Sequence, residues 1–154
     1  MGLEIERKFL LADASWRSET NEGTLLVQGY LSTIPERTVR VRVRGQQGTL
    51  TVKGKNENAT RQEFEYDIPV ADALAMLKLC EQPIIEKTRY EIFFAGKCWE
   101  IDEFSGVNTG LIVAEVELNA ETEAIELPRW IGREVTTEER YYNSNLLAHP
   151  FQKW

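Results

Sequence analysis

Leu3-Glu4-Ile5-Glu6-Arg7-Lys8-Phe9-Leu10 decides how the rest of the chain is read. With a period of two, Glu4, Glu6 and Lys8 share one face, and Ile5, Arg7 and Phe9 share the other. A helix would scatter the same charges around its cylinder, so the octet is read as a strand. Its charged side chains stand ~7 Å apart in successive same-face steps. Taken alone, such a run is an exposed strand with a solvated face. Repetition along the chain changes that reading.

Thr38–Arg44 alternates strictly, committing Val39, Val41 and Val43 to packing and Arg40, Arg42 and Arg44 to a guanidinium row. After a turn at 45–48, residues 49–55 return as a hairpin partner with Lys53 and Lys55 opposite Leu50 and Val52. Residues 61–68 set Glu63, Glu65 and Asp67 against Phe64, Tyr66 and Ile68. Residues 84–94 set Lys87, Arg89 and Glu91 against Thr88, Tyr90 and Ile92. Glu100 and Asp102 share a face in 98–102, as do Glu115 and Glu117 in 111–118. Residues 24–32 alternate weakly. The spacing predicts an α+β protein: a closed eight-stranded antiparallel β-barrel, or tunnel, with helices packed outside. Helical spacing at 70–80 (a stripe of Ala73, Leu74 and Leu77), at 121–131 and at 138–148 (Thr137 as N-cap) supplies that outer cover.

The chain has 154 residues, so one domain spanning 1–154 is expected. Its 42% hydrophobic and 28% charged residues are globular composition. A formal net charge of −7 argues against nucleic acid as the main ligand. No apolar run reaches membrane-spanning length, and strand pattern begins at once, which leaves no room for a signal peptide. Cys80 and Cys98 lack a Cys/His cluster around them and read as free thiols, so the expected compartment is cytoplasmic. His149 and the four tryptophans carry no chemistry in this reading.

Two features turn the charged faces inward. Arg40, Arg42 and Arg44, like Glu63 and Glu65, form same-sign rows, unlike the mixed polar residues of solvated strands. The apolar faces, in turn, need a cover that helices provide. A barrel of ~8 strands is wide enough for one small ligand. Burying unpaired charge there costs several kcal/mol per ion. The mixture of acids and bases therefore suits a compact polyanion accompanied by divalent cations. Arginine rows match phosphate oxygens bidentately, and all-oxygen carboxylate sets suit Mg²⁺ or Mn²⁺ over zinc.

Glu4-x-Glu6-x-Lys8 resembles the ExExK motif of the triphosphate tunnel metalloenzymes, the CYTH domains. The resemblance runs through Val39-Arg40-Val41-Arg42, Thr51-Val52-Lys53-Gly54, Glu63-Phe64-Glu65-Tyr66 and Glu86-Lys87-Thr88-Arg89-Tyr90. It continues through Trp99-Glu100-Ile101-Asp102, Ala114-Glu115-Val116-Glu117, the segment 132–136 and the segment 140–146. It implies a tunnel that binds a triphosphate with Mg²⁺ or Mn²⁺ and hydrolyses it. By matching position, it also implies that Arg40, Arg42, Lys53, Lys87, Arg89 and Arg133 clamp phosphates, with Lys8 near the scissile end. Glu4, Glu6, Glu115 and Glu117, then Asp102, are the implied metal ligands. Glu63 and Glu65 hold a second metal or orient the attacking water.

The compact length is most similar to short bacterial inorganic triphosphatases, which predicts hydrolysis of inorganic triphosphate to pyrophosphate and phosphate. Thiamine triphosphatase, nucleoside triphosphatase and class IV adenylate cyclase are the alternatives within the family. A cyclase needs an adenine pocket that no stretch announces. A non-catalytic polyphosphate-binding module is the alternative outside enzymes, and so many carboxylates would weaken simple anion binding. A homodimer is a candidate assembly. Arg44 and Lys55, at strand ends, and Tyr30 read equally as binding groups or bystanders, and Glu91 is expected to pair with a neighbouring base.

Overall fold

The computed structural model describes residues 2–154. The alternating runs form β1 (Leu3–Leu11), β2 (Thr24–Ser32), β3 (Thr38–Arg44), β4 (Gln47–Lys53), β5 (Thr60–Ile68), β6 (Glu81–Phe94), β7 (Lys97–Phe104) and β8 (Ile112–Glu117). They follow one another in the order β5-β4-β3-β2-β6-β7-β8-β1, and β1 also pairs with β5 to close the ring. Every pairing around it is antiparallel, which makes the closed eight-stranded barrel that the alternation predicts. Closure leaves no free edge in the ring. It depends on β1 changing partners along one edge: Leu3–Ile5 pair with β5, while Phe9 and Leu11 pair with a ninth strand, β9 (Ile131–Glu134).

Outside, the apolar faces are covered in two places. Phe9, Ile92, Trp99, Ile101 and Val116 pack with Trp16 and Trp130, both fully buried. Val41 and its neighbours Val27, Val43 and Leu50 pack under the single α-helix, α1 (Val70–Leu77), through Ala73 and Leu77. Leu74, expected on that stripe, is 52% exposed. An eight-residue helix lying on a curved sheet buries a narrower face than the spacing suggested.

The other two helices are not formed. Residues 119–130 run as an irregular strap. Its carboxylates serve backbone donors in non-helical ways: Glu121 Oε1 accepts from the distant Ala59 N–H at 3.1 Å, and Glu123 Oε1 from the Asn119 N–H within the strap at 2.6 Å. Pro128 further disfavours helix in the residue before it. Residues 138–148 hold two short 3₁₀ turns, Glu139–Tyr141 and Asn143–Leu146. Asn143, Ser144 and Asn145 favour such local turns over a continuous helix.

This segment also does not cover the outside. Tyr141, Leu146 and Leu147 pack against Leu10, Ile85, Phe104 and Val113. Those four continue, two residues on, the inward faces of Lys8, Lys87, Asp102 and Glu115. The interior is therefore charged along its length and apolar at one end, where the C-terminal segment seals it.

Gly48 is where α1 comes closest to the barrel: a Cβ built there would stand 2.8 Å from the Ala73 Cβ and 3.0 Å from the Ile68 carbonyl oxygen. Overpacking of this kind costs roughly 1–3 kcal/mol. Gly48→Ala is expected to lower the urea midpoint accordingly with the m-value unchanged; a midpoint equal to the parent's would mean that α1 is not docked this tightly.

Candidate active site

Because the strands alternate and the ring is closed, inward side chains converge from every side on one cavity of about 190 Å³. Its wall includes Glu4, Glu6 and Lys8 of β1, Arg40 and Arg42 of β3, Lys53 of β4 and Glu63 and Glu65 of β5. Lys87 and Arg89 of β6, Glu100 of β7 and Glu115 and Glu117 of β8 complete the charged lining. Twelve of the fourteen predicted site residues are thus brought together, all but Asp102 and Arg133.

Asp102 lies behind the wall, 1% exposed. It binds the Arg89 guanidinium through both oxygens at 2.8 and 2.9 Å and the Lys87 ammonium at 2.7 Å. Burial opposes its charge, but the two cations hold the carboxyl well below the usual range. Arg89 also reaches Glu100 at 3.0 Å. Arg133, on β9, does not line the cavity and is tied to Glu138 and, at 3.3 Å, to the Tyr141 hydroxyl. Arg133 thereby anchors the segment that seals the barrel. Lys55 lies beyond the end of β4 and is exposed, Arg44 pairs with Glu91 at 3.2 Å, and Tyr30 lines the cavity.

The cations differ in how far they are neutralised. Arg42 makes its hydrogen bonds to an uncharged group, Gln28 Oε1, from Nε at 2.9 Å and Nη2 at 2.7 Å. Burial, with Arg40 and Arg89 nearby, pushes its guanidinium down to about 9, and an arginine keeps its proton at such values. Lys87 is pushed down to about 7 by burial, against the pull of Asp102. Arg40 bonds Thr51 at 3.0 Å and Glu65 at 3.3 Å, and its buried Nε has no hydrogen-bond partner. Buried donors without acceptors are costly. Together Arg40, Arg42 and Lys87 form a surface prepared for an anion.

The acids face one another in register. Glu6 stands opposite Glu117, and Glu100 opposite Glu115. Like charges directly across a strand pair are destabilising. Burial raises the Glu6 carboxyl well above its ordinary value, and Glu115 and Glu4 add to the effect. Lys53 (3.1 Å) and Arg61 (3.3 Å) hold Glu4, and Lys8 stands 3.6 Å from Glu115. Against burial, these cations keep Glu4 and Glu115 ionised, with lowered pKa values. Among the described residues no three Asp, Glu, His or Cys side chains are gathered as a ready-made metal site. The donor set is all carboxylate oxygen, which fits Mg²⁺ or Mn²⁺.

Several lining residues lay outside the sequence reading. Arg61 shares the parity of Glu63 and Glu65, so extending that alternation by one step would have found it. Thr38 sits at the start of the Val/Arg strand. Tyr142, Asn143 and Ser144 belong to the sealing segment, and no periodicity points to them.

The chain matches the CYTH domain model over residues 2–149. It is 47% identical over 155 residues to an inorganic triphosphatase of Acetivibrio thermocellus, covering 100% of this chain and 99% of that one. It is 38% identical over 149 residues to an inorganic triphosphatase of Nitrosomonas europaea, covering 93% and 95% of the two chains. The crystal structure of an inorganic triphosphatase superposes with a TM-score of 0.66 at 34% identity, covering 93% of this chain and 96% of that one. With the motif strands forming a closed barrel around one charged cavity, this chain belongs to the CYTH domain family.

Proposed function

We propose that the chain hydrolyses inorganic triphosphate to pyrophosphate and phosphate inside the barrel, in a reaction that depends on Mg²⁺ or Mn²⁺. The observation that carries this reading is the division of the cavity wall. Arg40 and Arg42 present incompletely neutralised cations, with Lys87 beside them, while Glu4, Glu6, Glu115 and Glu117 present carboxylates set against one another. A triphosphate with a divalent cation satisfies both sides at once. The names of the two relatives support the same substrate.

The reaction moves a phosphoryl group from a bridging oxygen to water: the water oxygen bonds to the terminal phosphorus as the bridging P–O bond breaks. Charge spreads over the phosphate oxygens in the transition state, so positioning and electrostatic stabilisation supply most of the rate. Arg40, Arg42, Lys53 and Lys87 bind the chain of phosphates, and Lys8 sits toward the scissile end. Arg89, held from behind by both Asp102 oxygens, presents a guanidinium whose orientation is fixed before substrate arrives. Asp102 acts here through Lys87 and Arg89, and Arg133 through the sealing segment. Glu4, Glu6, Glu115 and Glu117 would hold the cation, which when bound neutralises phosphate charge and activates water. Glu63 and Glu65 would orient that water or hold a second cation. Cationic groups spread over β3, β4 and β6 favour three consecutive phosphates over two. Among the described residues no helix is long and apolar enough to cross a membrane. The free thiols Cys80 and Cys98 support placing the activity in the cytoplasm.

Turnover of inorganic triphosphate, followed by phosphate release, is expected to vanish on exhaustive chelation and to return with Mg²⁺ or Mn²⁺. Undiminished turnover after chelation would remove the metal from the account. The kcat/KM for inorganic triphosphate is expected to exceed that for ATP, thiamine triphosphate and pyrophosphate, measured side by side; a higher value for any of the three would reassign the substrate.

Arg42 and Arg44 share a face of β3, but only Arg42 lines the cavity. Losing a charged hydrogen bond costs about 1.5–3 kcal/mol. Arg42→Ala is therefore expected to lower kcat/KM by roughly ten- to a hundredfold or more, and Arg44→Ala to change it by less than about twofold. Equal losses would mean that the guanidinium row acts as a whole.

A further inference from the structure

Arg42 and Arg89 treat their charge oppositely. Arg89 is answered by a carboxylate, Asp102, at 2.8 and 2.9 Å. Arg42 is gripped as firmly, by two hydrogen bonds, but its acceptor is the neutral amide oxygen of Gln28. Gln28 is 0% exposed and lies on β2, between the strands of Arg42 and Lys87. Its Nε2 donates to Asn143 Oδ1 at 3.0 Å, and that same oxygen accepts from the Lys87 ammonium at 2.7 Å. An unbroken chain thus runs Arg42–Gln28–Asn143–Lys87 across the basic wall. Both acceptors that the cations use along it are amide oxygens.

The choice of group matters. A carboxylate at either position would satisfy the same donors with a stronger bond, and it would ease the repulsion among Arg40, Arg42, Arg89 and Lys87. It would also cancel the charge on which anion binding depends. An amide fixes direction and leaves the charge in place. Arg42 Nη1 has no hydrogen bond among the described residues, and the Arg42 side chain lines the cavity. Asn143 comes from the segment that seals the barrel, so closing the end and orienting the cations are one event.

We infer that Gln28 and Asn143 are positioning residues, a neutral amide relay that orients Arg42 and Lys87 toward the cavity and, with Lys87 already paired to Asp102 at 2.7 Å, leaves the Arg42 charge free to bind a polyanion. This rests on the reading of the cavity as a triphosphate site.

The test uses the full-length chain and the near-isosteric variants Gln28→Glu and Asn143→Asp, with Gln28→Ala and Asn143→Ala for comparison. Triphosphate affinity is measured by calorimetry without metal, steady-state kinetics with Mg²⁺, and thermal midpoint alongside. Each acidic variant is expected to weaken triphosphate binding, and to raise KM, at least tenfold while its thermal midpoint stays level or rises, because the new carboxylate pairs with a buried cation. The alanine variants are expected to lose kcat more than affinity, since the charge remains and its direction is lost. A residue that merely packs would make activity follow stability. Acidic variants that bind triphosphate within twofold of the parent overturn the relay, as do losses that track the thermal midpoint. Should an acidic variant fail to fold, the other acidic variant and the alanine pair decide on the same criteria. A parent that binds triphosphate without hydrolysing it overturns the proposed reaction alone, because the affinity series still reads the relay. A parent that does not bind triphosphate overturns both.

Discussion

The whole arrangement depends on one carboxylate. Asp102 is 1% exposed, yet it holds two cations from the neighbouring strand, Lys87 and Arg89, each within 2.9 Å. Burying three charges is tolerable only with close, well-directed bonds, and removing one partner of such a cluster costs about 3–5 kcal/mol. The alternation that puts Lys87 and Arg89 inside also puts Asp102 in register with Arg89. The strand pairing that closes the barrel and the electrostatics that make its interior usable are therefore one constraint. Beside that neutralised centre stands Arg42, held by an amide oxygen, while Glu4 and Glu115 are held by Lys53, Arg61 and Lys8.

The barrel was legible because a period of two survives any tertiary context that keeps the strand. Every run except the weakly alternating 24–32 carried charge on one parity and apolar residues on the other, and that pattern marked the strands and the face each turns inward. The C-terminal third was not legible in the same way. Residues 121–131 and 138–148 have apolar spacing compatible with a helix, but periodicity does not register that Glu121 serves a distant backbone donor. Nor does it show that Tyr141, Leu146 and Leu147 have partners inside the barrel mouth. Tertiary packing outweighed propensity there.

The cavity wall divides along the same line. The inward position of residues on alternating strands, from Glu4 to Glu117, was legible from parity. Asp102 shares that parity, and its place behind the wall is set by how deep it lies in the barrel, which parity does not encode. Arg133 was assigned by resemblance, and its guanidinium is taken up by Glu138 and the Tyr141 hydroxyl instead of the cavity wall. Gln28 escaped notice because a neutral amide in a weakly alternating strand carries no charge signal. Its importance comes only from standing between Arg42 and Asn143. Charge patterns thus revealed the charged groups that line the cavity, while the uncharged groups bonded to them needed the three-dimensional arrangement.

The central claim is that a linear polyanion and a divalent cation share this cavity, each against its own wall. Crystals grown with Mn²⁺ and a non-hydrolysable triphosphate analogue test it directly through anomalous scattering at the manganese edge. The account predicts a manganese peak among Glu4, Glu6, Glu115 and Glu117, with the analogue's phosphates against Arg40, Arg42 and Lys87. Manganese and analogue both found only outside the barrel, or analogue phosphates lying against the carboxylate wall with no metal between, would contradict it.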